Sequence, residues 1–392
     1  LTLFTAKPPV PRGLGINIHQ VDDDDLDAIA AVGFAFARTG VEWRYVETVA
    51  GVYSWTEYDY LVNGLYSRGV RPLCILSYSN PLYEGGDGTL PSGHHGIATD
   101  AKRTAFVAFA VALATRYQDK IILELWNEPN WPGFWQPQPS PVMYTALAAA
   151  VGPALAAAAP STPLLGPAAA SVDLPWLREC FENGLLDHVH AVSCHPYRPT
   201  DPETTGNDFL TLRELIDEYA VGKDVPIACS EWGYSQYTPE ARALTEHQQA
   251  SYLVRLYLSN RISGLPITIW YAWRDGGTNP TDSEDHFGIN TYAGAPKLAV
   301  SAATTLLSVT QGYEFAGRLK LASDADYAVL FNKGADRVVV AWTVRAPSNL
   351  VLNMAAVPSQ VLDQYGATLT ISHVGDDVTV GLSSSVTYVV YS

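Results

Sequence analysis

Short apolar runs alternate with longer segments of helical periodicity over most of this chain. GLGINIH (Gly13–His19) reads as a first strand. DDDDLDAIAAVG follows as a helix, with acids at its start and Gly33 at its end. The four aspartates suit the positive end of a helix dipole better than a metal site. FAFART (Phe34–Thr39) is a second strand, TEYDYLVNGLYSRG a helix and VRPLCILSYS a third strand. A loop rich in Gly, Pro and His runs from Asn80 to about Thr99. AKRTAFVAFAVALATRY is helical, and IILELWN is the fourth strand. An Ala-rich helix (Met143–Ala159) precedes the fifth strand, PLLGPAA. HVHAVSCHPY, VPIACSEWG and PITIWYAW read as strands six to eight. LTLRELIDEYA and EHQQASYLVRLYLSNRI are the helices between them.

Eight such units in succession predict an α/β fold, a parallel (β/α)8 TIM barrel. A doubly wound sheet is the alternative. It loses support because no GxGxxG follows the first strand and no GxxxxGK[ST] occurs. From Pro296 the pattern changes. PKLAVSAATTLLSVT is a last helix, and only short β-rich runs follow it. NKGAD between two of them is a hairpin signal. The expected division is a catalytic barrel over 1–305 and a C-terminal antiparallel β-sandwich over 306–392. Residues 1–12 could pack with the sandwich.

Charge narrows the function classes. The chain has 40 acidic and 24 basic residues among 392, a net charge of −16. Such a protein repels phosphate backbones and anionic bilayers, so neither nucleic acid nor a membrane surface is an expected partner. No window of ~18 apolar residues is free of charges and turn breakers, so no membrane span is expected. The start at Leu1 accords with a processed secreted or periplasmic protein, or with a trimmed chain. Cys74, Cys180, Cys194 and Cys229 show no metal-ligand spacing and read as small buried thiols, with one disulfide left open. No metal and no cofactor is expected. The oligomeric state is not legible. Aromatics are abundant, at 10 Trp, 22 Tyr and 11 Phe. They could be core, or they could line a cleft in which sugar faces stack. Trp131 and Trp135, in a Pro-rich loop, favour the cleft.

A barrel of this type carries its chemistry at the C-terminal ends of its strands. Two carboxylates stand there, Glu128 after strand four and Glu231 at strand seven. Either alone reads more readily as a structural charge. As a pair facing across the mouth they suit cleavage of a glycosidic bond. One, protonated, donates to the leaving oxygen; the other, ionised, attacks the anomeric carbon or activates water. A gap of ~5–5.5 Å gives retention and a wider one inversion.

WNEPN (Trp126–Asn130) and SEWG (Ser230–Gly233) resemble the acid/base and nucleophile motifs of glycoside hydrolase clan A. ARTGVEWRYVETVAGVYSWTEYDYLV, WNEPNWPGFWQPQPSPVMYTAL and WYAWRDGGTNPTDSEDHFGIN bring the resemblance closest to family 39, among bacterial members related to exopolysaccharide hydrolases. It covers residues 12–305. The resemblance implies a retaining β-glycoside hydrolase with Glu128 as acid/base and Glu231 as nucleophile. It also implies Asn127 on the neighbouring sugar hydroxyl, Arg38 beneath Glu231, and His195 and Tyr197 in the strand-six motif, with Tyr197 donating to Glu231. A Trp of WYAW, Trp273 before Trp270, would form the floor of the sugar site. Trp43, Trp131 and Trp135 complete the expected sugar contacts. The bland readings are that Arg38 pairs with Glu124, that His195 is a core histidine, and that the three Trp cap the barrel. The expected partner is an oligo- or polysaccharide, cut in endo fashion. An exo-acting β-xylosidase-like enzyme and a carbohydrate-binding protein on an inactive barrel are the alternatives.

Overall fold

The computed structural model describes residues 9–84, 93–237 and 244–392. Eight parallel strands close into a barrel in chain order: β1 (Gly13–Asn17), β2 (Phe36–Glu42), β3 (Arg71–Ser77), β4 (Ile122–Leu125), β5 (Leu164–Ala170), β6 (Ala191–His195), β7 (Ile227–Trp232) and β8 (Ile267–Trp270). Around them lie α1 (Asp23–Val32), α2 (Trp43–Val46), α3 (Thr56–Ser67), α4 (Asp100–Tyr117), α5 (Pro141–Ala158), α6 (Leu174–Glu182), α7 (Gly206–Tyr219), α8 (Glu246–Ile262) and α9 (Leu298–Val309). Local chemistry sets their ends. Asp22 and Asp25 form a capping box at α1, and Gly33 closes that helix at φ 94°. Thus the acids of DDDD serve a helix start. Helix α6 escaped the sequence reading, although Asp173 caps it and Pro175 lies in its first turn.

By length and composition α5 could cross a membrane, against the expectation of no such segment. In the structure its Tyr144, Leu147, Val151 and Leu155 are buried against the barrel.

Period-two alternation sorts the strand residues into layers. Phe36, Leu73, Ile122, Leu165, Ala191, Ala228, Ile267 and Ile269 fill the barrel floor, and Val10 packs against them from below. Residues 1–8, the rest of the segment expected near the sandwich, lie outside the described residues. At Gly15 a Cβ would sit 2.4 Å from Ile269 and 2.8 Å from Phe36, so only glycine fits that crowded layer. One step up β1, β2, β4, β6 and β7 the inward residues turn polar: Asn17, Arg38, Glu124, Ser193 and Ser230 are buried.

The C-terminal part is a β-sandwich, as expected. One sheet has the order β13 (Gln360–Leu362), β16 (Thr387–Tyr391), β11 (Asp336–Thr343), β10 (Asp326–Lys333), β9 (Glu314–Arg318). The other is β12 (Ser348–Asn353), β15 (Asp377–Leu382), β14 (Ser372–Val374). Alternation again divides the labour. Val338, Val340 and Trp342 belong to the barrel's core, whereas Val339 and Ala341 pack on the second sheet. The sandwich is therefore fused to the barrel through apolar surface.

Candidate active site

Glu128 and Glu231 reach the mouth by departures from regular strand geometry. On β7, Ala228 faces the barrel floor, so alternation alone would send Ser230 inward and Glu231 outward. The β7–β8 register shifts between Cys229 and Trp232, and this irregularity re-aims Glu231 into the mouth. Gly233 permits it, since a Cβ there would lie 2.0 Å from the Tyr271 carbonyl oxygen. On the other side β4 ends at Leu125. Trp126 (φ 70°) and Glu128 (φ 48°) then adopt left-handed backbone, at a cost of about 1–3 kcal/mol each. The Glu128 amide donates to the Ala168 carbonyl at 2.9 Å, and the Trp126 indole donates to Phe134 O at 2.7 Å.

Arg38 organises the centre. It is 1% exposed. Its Nε donates to Glu124 at 2.8 Å, and its terminal nitrogens donate to Asn17 (3.1 Å), Glu231 (2.5 Å) and Asn127 (2.8 Å). One terminal nitrogen also lies 3.3 Å from His195 Nε2. A guanidinium only donates, so Nε2 accepts and the imidazole proton sits on Nδ1. Nδ1 lies 2.9 Å from Glu128 Oε1 and donates to it. Tyr197 donates to Glu231 Oε1 at 2.9 Å. Arg38 pairs both with Glu124 and with Glu231, so the two readings offered for it coexist.

The two carboxylates thus have unequal surroundings. Burial pushes Glu231 upward, but positive charge on His195 when its ring is protonated, the Arg38 charge and the hydrogen bonds from Tyr197 and Arg38 act against it. Glu231 is held below the ordinary carboxylate value. Burial and the neighbouring Glu231 drive the Tyr197 phenol well above its ordinary value, so it remains a donor. Ligand atoms of Glu128, His195 and Glu231 all lie within 4.8 Å of one another. Such a trio could hold a cation, but Arg38 already supplies the positive charge. With one oxygen of each carboxylate within 4.8 Å of the other, the pair lies on the short side that suits double displacement rather than the ~6.5–9.5 Å that admits a water.

A cleft of about 680 Å³ contains Glu128, Glu231, Asn127 and Tyr197. The family model described as Cellulase (glycosyl hydrolase family 5) matches residues 15–276. The chain belongs to that family. It is therefore a clan A glycoside hydrolase, a retaining enzyme, as the motifs led us to expect. No curated protein matches it in sequence. Among solved structures, a family 39 glycoside hydrolase from the gut symbiont Bacteroides cellulosilyticus is 23% identical, with TM-score 0.83 over 97% of this chain and 81% of that one. A family 39 β-xylosidase from Caulobacter crescentus is 20% identical, with TM-score 0.70 over 99% and 98%. A family 30 endoxylanase from Clostridium papyrosolvens is 13% identical, with TM-score 0.69 over 99% and 98%. At these identities the likeness is one of fold.

The tryptophans of this glycoside hydrolase lie elsewhere than expected. Trp43 is fully buried, donates to Glu47 at 2.5 Å and stacks on Tyr83 and Phe109. Trp135 is buried against Trp126 and Tyr144. Neither lines the cleft. Trp131 is 58% exposed on the loop after Glu128, also outside the cleft lining. The strand-eight floor is a correction of residue. Ile267 and Ile269 face inward, so Trp270 faces outward and is buried beside Tyr234. Trp273, beyond the end of β8, donates to Asp25 Oδ1 at 2.8 Å. The inward phase falls on Tyr271, which lines the cleft with its hydroxyl 3.3 Å from both His19 and Glu284. Continuing the phase of the two isoleucines finds it. Tyr58, Tyr78, Phe134 and Phe287 also line the cleft, with Glu42, Tyr45 and Glu57 on the β2 side. The four cysteines are buried and free.

Proposed function

We propose that Glu128 is the acid/base and Glu231 the nucleophile of a β-glycoside hydrolase acting in endo fashion on an extracellular polysaccharide. The observation that carries the roles is the asymmetry of the pair. Glu231 touches Arg38 and Tyr197 and is held ionised, as attack on the anomeric carbon requires. Among the described residues Glu128 has one polar side-chain partner, His195, and no guanidinium bound to it. It is freer to exchange a proton with the leaving oxygen and then with water. Asn127, with its amide oxygen tied to Arg38, presents its NH2 group toward the cleft as a donor for a sugar hydroxyl. Tyr271 takes the role expected of a strand-eight Trp, and Trp131 is an outer platform beyond the cleft on the Glu128 side.

Endo action is supported by a lining drawn from both sides of the pair, with Glu284 and Phe287 from beyond β8 and Tyr45 and Glu57 from α2 and α3. Among the described residues five glutamates line it against one arginine, which favours a neutral glycan over uronate-rich or sulfated ones. A matching neighbour is a β-xylosidase, so an exo-acting β-xylosidase-like enzyme is the second reading. A panel of polysaccharides and aryl β-glycosides, with mass analysis of products, tests both. Mid-chain oligomers absent from the Glu231→Ala control support the endo reading. Release of single terminal sugars only supports the second, and sugar binding with no cleavage of any kind contradicts both.

A further inference from the structure

We infer that the C-terminal sandwich positions the nucleophile, by using Trp342 and Glu203 to fix the segment that lays Tyr197 against Glu231. The inference rests on the reading of Glu231 as nucleophile. After β6 the chain leaves the mouth at Tyr197 and reaches a single turn of helix at Pro202–Thr205. Glu203 on that turn is 5% exposed. One of its oxygens accepts from Trp342 Nε1 at 2.7 Å and from Arg255 Nε at 2.8 Å, and the other accepts from Arg255 at 2.7 Å. Trp342 belongs to sandwich strand β11, and Arg255 to barrel helix α8. The buried carboxylate therefore ties three parts of the molecule at one point. Breaking one arm leaves a buried charge short of a partner.

The tie is stiff at both ends. The Trp342 ring is fully buried and stacks on Tyr327 at 4.8 Å with planes 8° apart. Arg255 also pairs with Asp201 at 3.1 Å. The Tyr234 hydroxyl, three residues beyond Glu231, donates to Thr200 O at 2.7 Å. The segment 197–205 is thus pinned near its far end by the sandwich and near its middle by the β7 loop. At its near end the Tyr197 amide donates to His195 O at 2.8 Å, the ring packs edge-on to Phe287 at 5.9 Å, and the hydroxyl lies 2.9 Å from Glu231. Trp342 touches neither substrate nor reacting atoms, so it is a positioning residue.

The test uses the full chain with Trp342→Phe, which removes the N–H and keeps the ring, and Glu203→Gln as a second variant. On an aryl β-glycoside that the wild type cleaves, kcat falls about fivefold with KM little changed, and the acidic limb of kcat/KM moves to higher pH. Trp342→Phe adds nothing further in a Tyr197→Phe background, because both act through one contact. Tyr365→Phe removes another sandwich-to-barrel contact, the 2.8 Å bond to His247, and leaves kcat and the acidic limb unchanged. A folded Trp342→Phe enzyme with wild-type kcat and acidic limb overturns the inference, as does a loss that adds in full to that of Tyr197→Phe. If Trp342→Phe does not fold, Glu203→Gln is read by the same two criteria. If the wild type cleaves no glycoside, the hydrolase reading fails on its own. The positioning is then read from the pH titration of the Glu231 carboxyl 13C resonance: an upward shift in Trp342→Phe supports it and an unmoved one contradicts it.

Discussion

The β7 and β4 sides of the barrel mouth present the same side chain in two different settings. Glu231 and Glu128 are equally exposed, at 16% of each side chain. Around Glu231 stand Arg38 at 2.5 Å and Tyr197 at 2.9 Å; around Glu128 stands the His195 ring at 2.9 Å. Exposure therefore does not separate them, and partners do. One carboxylate is held below the ordinary carboxylate value by a guanidinium and a phenol, and the other meets the His195 ring in a strained turn. Two identical residues can divide acid and nucleophile work because their neighbours differ.

The sharpest break of that comparison is removal of each carboxylate. Glu231→Ala lowers kcat by ~10⁴–10⁶-fold on substrates of any leaving group. Added azide then attacks from the vacated side and yields a glycosyl azide of inverted configuration, read by NMR of the product. Glu128→Ala lowers kcat/KM by ~10²–10⁴-fold on poor leaving groups and little on a dinitrophenyl glycoside, whose kcat falls instead because water is no longer activated. Azide restores that kcat and gives a glycosyl azide of retained configuration. Exchange of these two outcomes between the variants would swap the roles.

A smaller effect sharpens the electrostatic half. Tyr197→Phe removes one hydrogen bond to a charged group and lowers kcat/KM by about tenfold. Its acidic limb moves upward, because Glu231 loses one of the contacts that hold its proton affinity down. The sign for stability agrees. A carboxylate depressed in the folded state stabilises the protein above its unfolded value, and that contribution is lost as pH falls through the lowered folded value. Acid denaturation of Tyr197→Phe therefore starts at higher pH, measured by circular dichroism. The smallest effect on catalysis comes from Trp135. Trp135→Leu costs about 2–4 kcal/mol of stability, read from the denaturant midpoint, and leaves KM unchanged, since the ring packs behind the cleft.

The regular parts of this fold are legible in the sequence because periodicity reports burial. Eight strands, the helix starts at Asp22 and Thr245, and the 332–336 hairpin all follow from it. The motif residues Glu128, Glu231, Arg38, Asn127, His195 and Tyr197 meet at one place. Periodicity fails where chemistry needs it to. The register shift after Cys229 and the left-handed residues around Trp126 change which way side chains point, and neither has a signature in hydrophobic pattern. The tryptophans misled for a different reason. A large ring in a Pro-rich loop looks like a sugar platform, yet Trp135 buries its surface against Trp126, which itself supports the turn of Glu128. Tyr271 was overlooked because it lies between two Trp residues that attract more attention, although the phase of Ile267 and Ile269 points to it.

The central claim, that Glu231 forms the covalent bond to the sugar, is open to direct observation. The enzyme is incubated with a 2-deoxy-2-fluoro glycosyl fluoride of the sugar it cleaves, digested, and its peptides sequenced by mass spectrometry. The account predicts one added glycosyl group on the peptide bearing Ser230–Gly233, at Glu231. A label on Glu128 would contradict it.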